Sequence, residues 1–183
     1  MRRIVASTLL SLDGVIGAPH VWASDYFNED AAHVALEQLK ASDAMLMGRR
    51  TYEIFSGMWP GATGPYADYL NGMRKYVFSS TLKEADWTNT TVVSGDVPAA
   101  VADLKQQDGR DLIMYGHGQL GQTLLEHGLL DELKFAVHPL FVGGGDLLNR
   151  RGPITPLQLI GAQTLPTGVV VLTYRPTGRP GGA

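Results

Sequence analysis

The run Asp111-Leu112-Ile113-Met114-Tyr115-Gly116-His117-Gly118-Gln119-Leu120-Gly121 reads as a buried strand that stops at a Gly-x-Gly turn and opens directly into a helix. Such a turn suits phosphate. Gly116 and Gly118 carry no side chain to block a ligand, and the unpaired amides of a helix start, here through Gln119 and Leu120, direct partial positive charge towards it. Leu120, Leu124 and Leu125 form an apolar stripe, and Gly128 stands where a left-handed C-cap belongs. A second junction has the same form: Ala44-Met45-Leu46-Met47 runs into Gly48-Arg49-Arg50-Thr51-Tyr52-Glu53. Gly48 permits close approach, Arg49 offers a planar fork to a phosphate monoester, and Thr51 adds a hydroxyl. At a third, Tyr76-Val77-Phe78 delivers Ser79-Ser80-Thr81. Any one of these alone is equally well a close-packed strand–helix turn or a solvated basic turn.

The elements that must position these residues alternate. Apolar runs at Ile4 to Leu10, Ala44 to Met47, Tyr76 to Phe78, Thr91 to Val93 and Leu112 to Tyr115 predict strands separated by helices, the grammar of a mostly parallel sheet. Asn28 caps a helix with Glu29 and Asp30 in its first turn and Ala32, Ala35, Leu36 and Leu39 on one face. Further helices are expected at Arg50 to Phe55, Tyr66 to Met73 and Asp96 to Gln107. After Leu130 the helices stop, and Leu133 to Val142, Leu157 to Ile160 and Val169 to Tyr174 predict an antiparallel end. Pro139 suggests an edge position or bulge there, and Gly143-Gly144-Gly145 a flexible turn.

In an open α/β sheet, ligands collect at the carboxyl ends of the strands, so the three junctions converge on one rim. A diphosphate site and a separate Arg/Ser site for a ribose 2′-phosphate together predict NADPH rather than NADH.

Composition narrows the field. With 183 residues one domain is expected, spanning 1–175, with a frayed Pro/Gly-rich tail at 176–183. A net charge of −3 provides no basic field for nucleic acid, and five scattered His and no Cys offer neither metal-ligand spacing nor a cysteine nucleophile. The apolar run after Arg2-Arg3 passes too soon into the Asp13-Gly14 turn for a signal peptide, and no segment approaches membrane-spanning length. A cytoplasmic protein is expected.

The chain resembles the dihydrofolate reductase-like fold, and within it the C-terminal reductase domain of the riboflavin biosynthesis protein RibD. The resemblance rests on Ser11-Leu12-Asp13-Gly14-Val15-Ile16-Gly17, Met47 to Glu53, Val77-Phe78-Ser79-Ser80 and Gly116 to Leu120. Leu124 to Leu133, Pro139 and Gly143-Gly144-Gly145-Asp146-Leu147-Leu148 carry the RibD-like character. It implies a three-layer α/β domain, mostly parallel with an antiparallel C-terminal end, and a homodimer. It implies an NADPH-dependent reductase of a small nitrogen heterocycle, foremost 5-amino-6-(5-phosphoribosylamino)uracil. Dihydrofolate reduction and a non-catalytic nucleotide-binding protein are the alternatives.

By the same resemblance, Arg49, Arg50, Thr51, Ser79 and Ser80 flank the 2′-phosphate, Gly116 to Leu120 cradle the diphosphate, and Val15, Ile16 and Gly17 border the nicotinamide. The loop from Asp13 to Ala23 covers the site, with Asp13 as a turn residue bonding local amides. Folate reductases place a carboxylate on the first helix. The matching position falls near Ala32, leaving Asp30 as the candidate proton donor, with stabilisation of the helix start as its alternative role. Trp22 and Tyr52 are candidate substrate contacts. His117 is either a donor to phosphate or nicotinamide amide or an exposed turn residue without a task, and His138 is expected to be structural.

Overall fold

The computed structural model describes residues 1–148 and 154–178. Eight strands form one sheet in the order β4-β3-β2-β5-β1-β6-β8-β7. They are β1 (Ile4–Ser11), β2 (Ser42–Gly48), β3 (Arg74–Phe78), β4 (Thr90–Val93), β5 (Asp111–Tyr115), β6 (Glu132–His138), β7 (Leu157–Thr164) and β8 (Val170–Pro176). The helices are α1 (Pro19–Trp22), α2 (Glu29–Lys40), α3 (Arg49–Met58), α4 (Pro65–Gly72), α5 (Val97–Gln106) and α6 (Gln119–Glu126).

Local chemistry sets the helix ends. The Asn28 side chain accepts from the Ala31 amide at 3.0 Å and Asp96 from that of Ala99 at 3.1 Å, each satisfying one orphan donor of its helix. Gly128 adopts φ +66°, and the Leu129 amide returns to the Leu124 carbonyl at 2.8 Å, closing α6 as expected.

Alternation along the strands makes two cores. Ile4, Ala6, Leu46, Leu112 and Met114 pack on one face beneath α5 and α6, through Val101, Leu104, Leu124 and Leu125. Met45, Met47, Val77 and Ile113 pack on the other beneath α2, α3 and α4, through Leu39, Tyr52 and Leu70. Helices on both faces of a mostly parallel sheet make the three layers anticipated.

The C-terminal end departs from expectation in one respect. β6 pairs parallel with β1 and antiparallel with β8, so it is interior, and only β7 and β8 run antiparallel to their neighbours. β6 stops at His138, which leaves Pro139 just beyond the ladder where its missing N–H costs nothing. The edge is β7, and the register irregularity lies there, between Leu159 and Gly161. β8 continues to Pro176, and the Thr177 amide donates to the Pro156 carbonyl at 3.0 Å. Residues 179–183 of the expected tail lie outside the described residues.

Candidate active site

β3, β2 and β5 are consecutive in the sheet and parallel, so the three junctions read from sequence end side by side. Gly48 and Gly118 are the N-caps of α3 and α6, and neither helix start has a side-chain cap. The first-turn amides of both therefore face the carboxyl rim without an intrahelical acceptor. A Cβ on Gly48 would lie 4.0 Å from that of Leu120, so the two helix starts adjoin. Gly116 has φ +77°, a conformation costly for a side-chain-bearing residue, and its amide is held by the Ser7 carbonyl at 2.9 Å.

At the third junction Ser79 Oγ accepts from the amides of Thr81 at 3.2 Å and Leu82 at 3.0 Å, fixing the turn after β3. Arg49 reaches it from α3, donating to Thr81 Oγ1 at 3.3 Å, while its Nε lies 3.5 Å from Glu53. Arg50 diverges, meeting Asp146 at 3.4 Å with both side chains largely exposed. Ser80 is exposed and Thr51 half-buried.

On the other side of the rim, the loop after β1 is joined to the segment after β6. The amides of Ile16 and Gly17 donate to the Asp146 carbonyl at 2.8 and 3.1 Å, and Leu148 donates to Gly14 at 2.8 Å. Val15, buried, forms an antiparallel bridge with Leu147. The Asp13 carboxylate accepts from the Ser11 hydroxyl at 2.5 Å and the amides of Gly143 at 2.7 Å and Val142 at 3.1 Å. The Ser11 bond, followed by the Gly143 and Val142 amides, lowers its pKa to about 2. Asp13 thus bonds amides, but the amides are distant in sequence rather than local.

Trp22, in α1 within the expected covering loop, donates its indole N–H to the Gly17 carbonyl at 2.8 Å. Its ring and that of Tyr26 meet His138 edge-on, with centroids 5.2 and 5.5 Å apart. Burial pushes the His138 pKa down, and Nδ1 lies 2.9 Å from the Ala136 carbonyl, fixing the ring at the end of β6. A second aromatic group stands beside α3 and α4. The Tyr66 hydroxyl donates to that of Tyr115 at 3.0 Å, Phe55 lies against Tyr115, and Trp59 against Tyr66. Burial raises the pKa of both tyrosines, that of Tyr115 well above the ordinary value, so each stays a neutral hydroxyl.

Two candidates are placed otherwise than anticipated, and a third stands where its alternative role puts it. Tyr52 is 6% exposed within the core, and its hydroxyl accepts the Asp86 amide at 3.0 Å, so it cannot meet a substrate. His117 is neither exposed nor aimed at a ligand: its ring is 3% exposed and packs edge-on to Phe135, beneath Gly121. Its backbone alone belongs to the turn. Asp30 is exposed in the first turn of α2, 3.5 Å from the Asn28 side-chain nitrogen, where it stabilises the helix start. Tyr115 is not legible as a candidate because an aromatic ending a buried strand looks like core, and Tyr66 because it meets Tyr115 only once α4 packs on the sheet. Asp146, which reaches Gly17 and Arg50, lies 129 residues from Gly17 and gives no local signal.

Among the described residues no group of three His, Cys, Asp or Glu could hold a metal, and no helix is long and apolar enough to cross a membrane. A shallow depression bounded by Arg74, Trp87 and Asn89 reaches the amino end of β3, away from the rim.

Residues 2–171 match the model of the RibD C-terminal domain. The chain belongs to that family. It is 27% identical over 184 residues to the uncharacterized protein YyaP of Bacillus subtilis, covering 97% of this chain and 96% of YyaP. It is 26% identical over 147 residues to YwjB of the same organism, covering 79% and 80%. Among solved structures, a putative riboflavin biosynthesis protein from Shewanella superposes with a TM-score of 0.77 at 22% identity, over 96% of this chain and 99% of that one. A pyrimidine reductase-like protein from Corynebacterium diphtheriae gives 0.73 at 13%, over 97% and 92%. A bifunctional deaminase and 5-amino-6-(5-phosphoribosylamino)uracil reductase from Thermotoga maritima gives 0.67 at 14%, over 96% of this chain and 57% of that one. These likenesses establish the fold, and the RibD C-terminal family is reductase-like.

Proposed function

We infer that this RibD C-terminal family member is an NADPH-dependent reductase of a small planar nitrogen heterocycle, foremost 5-amino-6-(5-phosphoribosylamino)uracil. One observation carries the reading: two uncapped helix starts and the Arg49–Thr81–Ser79 group adjoin on consecutive parallel strands. The donor set fits a dinucleotide with two separate anionic groups. The amides from Gly116 to Leu120 would take the diphosphate, and Arg49 with Ser79, Ser80 and Thr81 the 2′-phosphate. Ile16 and Gly17, pinned to Asp146, would border the nicotinamide.

The cofactor supplies hydride when bound, and the chain's task is position and exclusion of water. Trp22 and Tyr26 wall the rim at His138, and the Tyr66–Tyr115 pair offers a polar point on an apolar wall where a heterocycle can stack. Among the described residues no carboxylate is buried at the rim.

Spectrophotometric NADPH oxidation tests this, with the ribosylaminopyrimidinone, dihydrofolate, and simple quinones or imines as acceptors. Turnover with the first alone is expected. Tight NADPH binding without turnover of any would make the chain a nucleotide-binding protein. The same reading places the protein in the cytoplasm as a homodimer. The exposed apolar side chains of Leu157, Leu159 and Ile160 on the edge strand β7 support association. Light scattering on the wild type and on Leu159→Lys, expected to be monomeric, tests it.

A further inference from the structure

Strand register places three side chains in one row on the face covered by α2, α3 and α4. Ser7 of β1 is opposite Tyr115 of β5 and opposite Lys134 of β6. Residues in register on adjacent strands point to the same face, about 4.8 Å apart. Tyr115 packs with the core under α3, which fixes that face. Ser7 and Lys134 are both half-buried on it.

The helix layer is incomplete there. Of α2 only Leu39 is buried, while Ala31, Ala32, Val34, Ala35 and Leu36 remain half-exposed along a helix whose apolar stripe faces the sheet at Leu39. Leu9, two residues from Ser7 on the same face of β1, is 38% exposed, and Ala136 of β6 beside it is half-buried. Incompletely covered apolar side chains thus lead from this row to the rim, where Trp22, Tyr26 and His138 stand.

Lys134 differs from the chain's buried lysines. Lys75 donates to three carbonyls, and Lys105 to Asp131 and the Leu129 carbonyl. Glu132, two residues from Lys134 on the same face, is paired with Arg3 at 2.6 Å. Among the described residues the Lys134 side chain has no ion pair or hydrogen bond. An ammonium without a counter-charge, on a half-buried side chain beside the Ser7 hydroxyl, is a ready donor to an anionic ligand group.

We propose that Lys134 and Ser7 form an oxygen-binding subsite in the acceptor cleft, which therefore selects planar heterocycles bearing a negatively charged oxygen group. This rests on the reductase reading for the identity of the cleft. The ammonium meets the charge, the Ser7 hydroxyl donates beside it, and the ring lies along Leu9 and Ala136 towards the nicotinamide side.

The test is intrinsic fluorescence titration with two probes of one scaffold, uracil and its 6-carboxylate, orotate. Wild-type protein binds orotate about tenfold or more tightly than uracil, the scale of a charge-assisted hydrogen bond. Lys134→Met loses that preference and Lys134→Arg keeps it, with circular dichroism confirming that both fold. Wild-type protein that binds orotate no better than uracil, including not at all, overturns the proposal. So does a Lys134→Met variant that keeps the preference, which would make the lysine a stem covering apolar strand surface. NADPH titrated into the same samples separates the two readings. NADPH binding without orotate preference sinks the subsite alone, whereas orotate preference without NADPH binding sinks the reductase.

Discussion

The guanidinium of Arg49 donates to the hydroxyl of Thr81 at 3.3 Å, joining the helix that follows β2 to the turn that follows β3. Arg49 is thereby aimed at the Ser79–Thr81 turn, and Arg50, turned to Asp146, is not. Arg49→Ala is expected to weaken NADPH binding about tenfold to a hundredfold, the scale of a lost hydrogen bond to a charged group. NADH affinity should change less than about threefold on the same reasoning. Arg50→Ala should discriminate less between the two. Calorimetric titration of both nucleotides decides it, and equal losses with Arg49→Ala would remove the 2′-phosphate contact.

Asp13 gives a pH-dependent latch between the loop after β1 and the segment after β6. Its pKa falls from 3.8 to about 2, through Ser11 first and then the Gly143 and Val142 amides. A carboxyl lowered in the folded state contributes stability above its unfolded pKa, and that contribution is lost as pH falls from about 4 towards 2. Asp13→Ala should therefore lower the melting temperature at neutral pH, with the difference from wild type shrinking across that window. A difference that persists undiminished at pH 2 would assign the effect to something other than the charged carboxylate.

The parts of the site legible in the sequence are those made by contiguous residues. Gly48 and Gly116 announce themselves because a glycine between a buried run and a helix start is a local pattern, and Arg49 and Ser79 travel with such junctions. What escaped depends on pairings distant along the chain. Lys134 acquires a place in the cleft only through the register of β6 with β1, and Asp13 its amides only when residues 142–143 fold back over Gly14. Pro139 suggested an edge strand because proline is barred from ladders, yet the ladder ends one residue earlier. Tyr52 turns to the core rather than to the rim, because that follows from how α3 packs on β2 and β3.

Lys75 is a buried cation that holds the end of α4 against β3. It is 0% exposed, donates to the carbonyls of Asn71, Met73 and Thr88 at 2.9, 2.8 and 3.1 Å, and lies 4.4 Å from the Trp87 ring centre. Lys75→Met keeps the stem but orphans three carbonyls, and should cost about 2–3 kcal/mol in urea unfolding. Burial lowers the ammonium pKa from 10.5 to about 8. Between those values the unfolded chain holds a proton that the folded one has released, so stability rises with pH across that window. Wild type should therefore gain on Lys75→Met between pH 8 and 10.5, and parallel pH profiles would count against the shift.

At Gly17 the two rim loops pack with no room for a side chain. A Cβ there would lie 3.0 Å from Asp146 Cβ and 3.1 Å from its amide nitrogen, and backbone cannot yield as a flexible side chain does. The Gly17 and Ile16 amides share the Asp146 carbonyl, and Trp22 hangs from the Gly17 carbonyl, so a forced shift propagates to both walls of the proposed nicotinamide site. Gly17→Ala should lower turnover about tenfold or more, as displaced positioning residues do. In the proposed binding mode the diphosphate and 2′-phosphate contacts lie across the rim at Gly116 and Arg49, so NADPH affinity should fall by no more than about threefold, small beside one lost charged hydrogen bond. Stopped-flow hydride transfer alongside equilibrium NADPH binding separates the two. If affinity collapses while the transfer rate holds, the loop from Asp13 to Gly17 grips the phosphates and not the reacting ring.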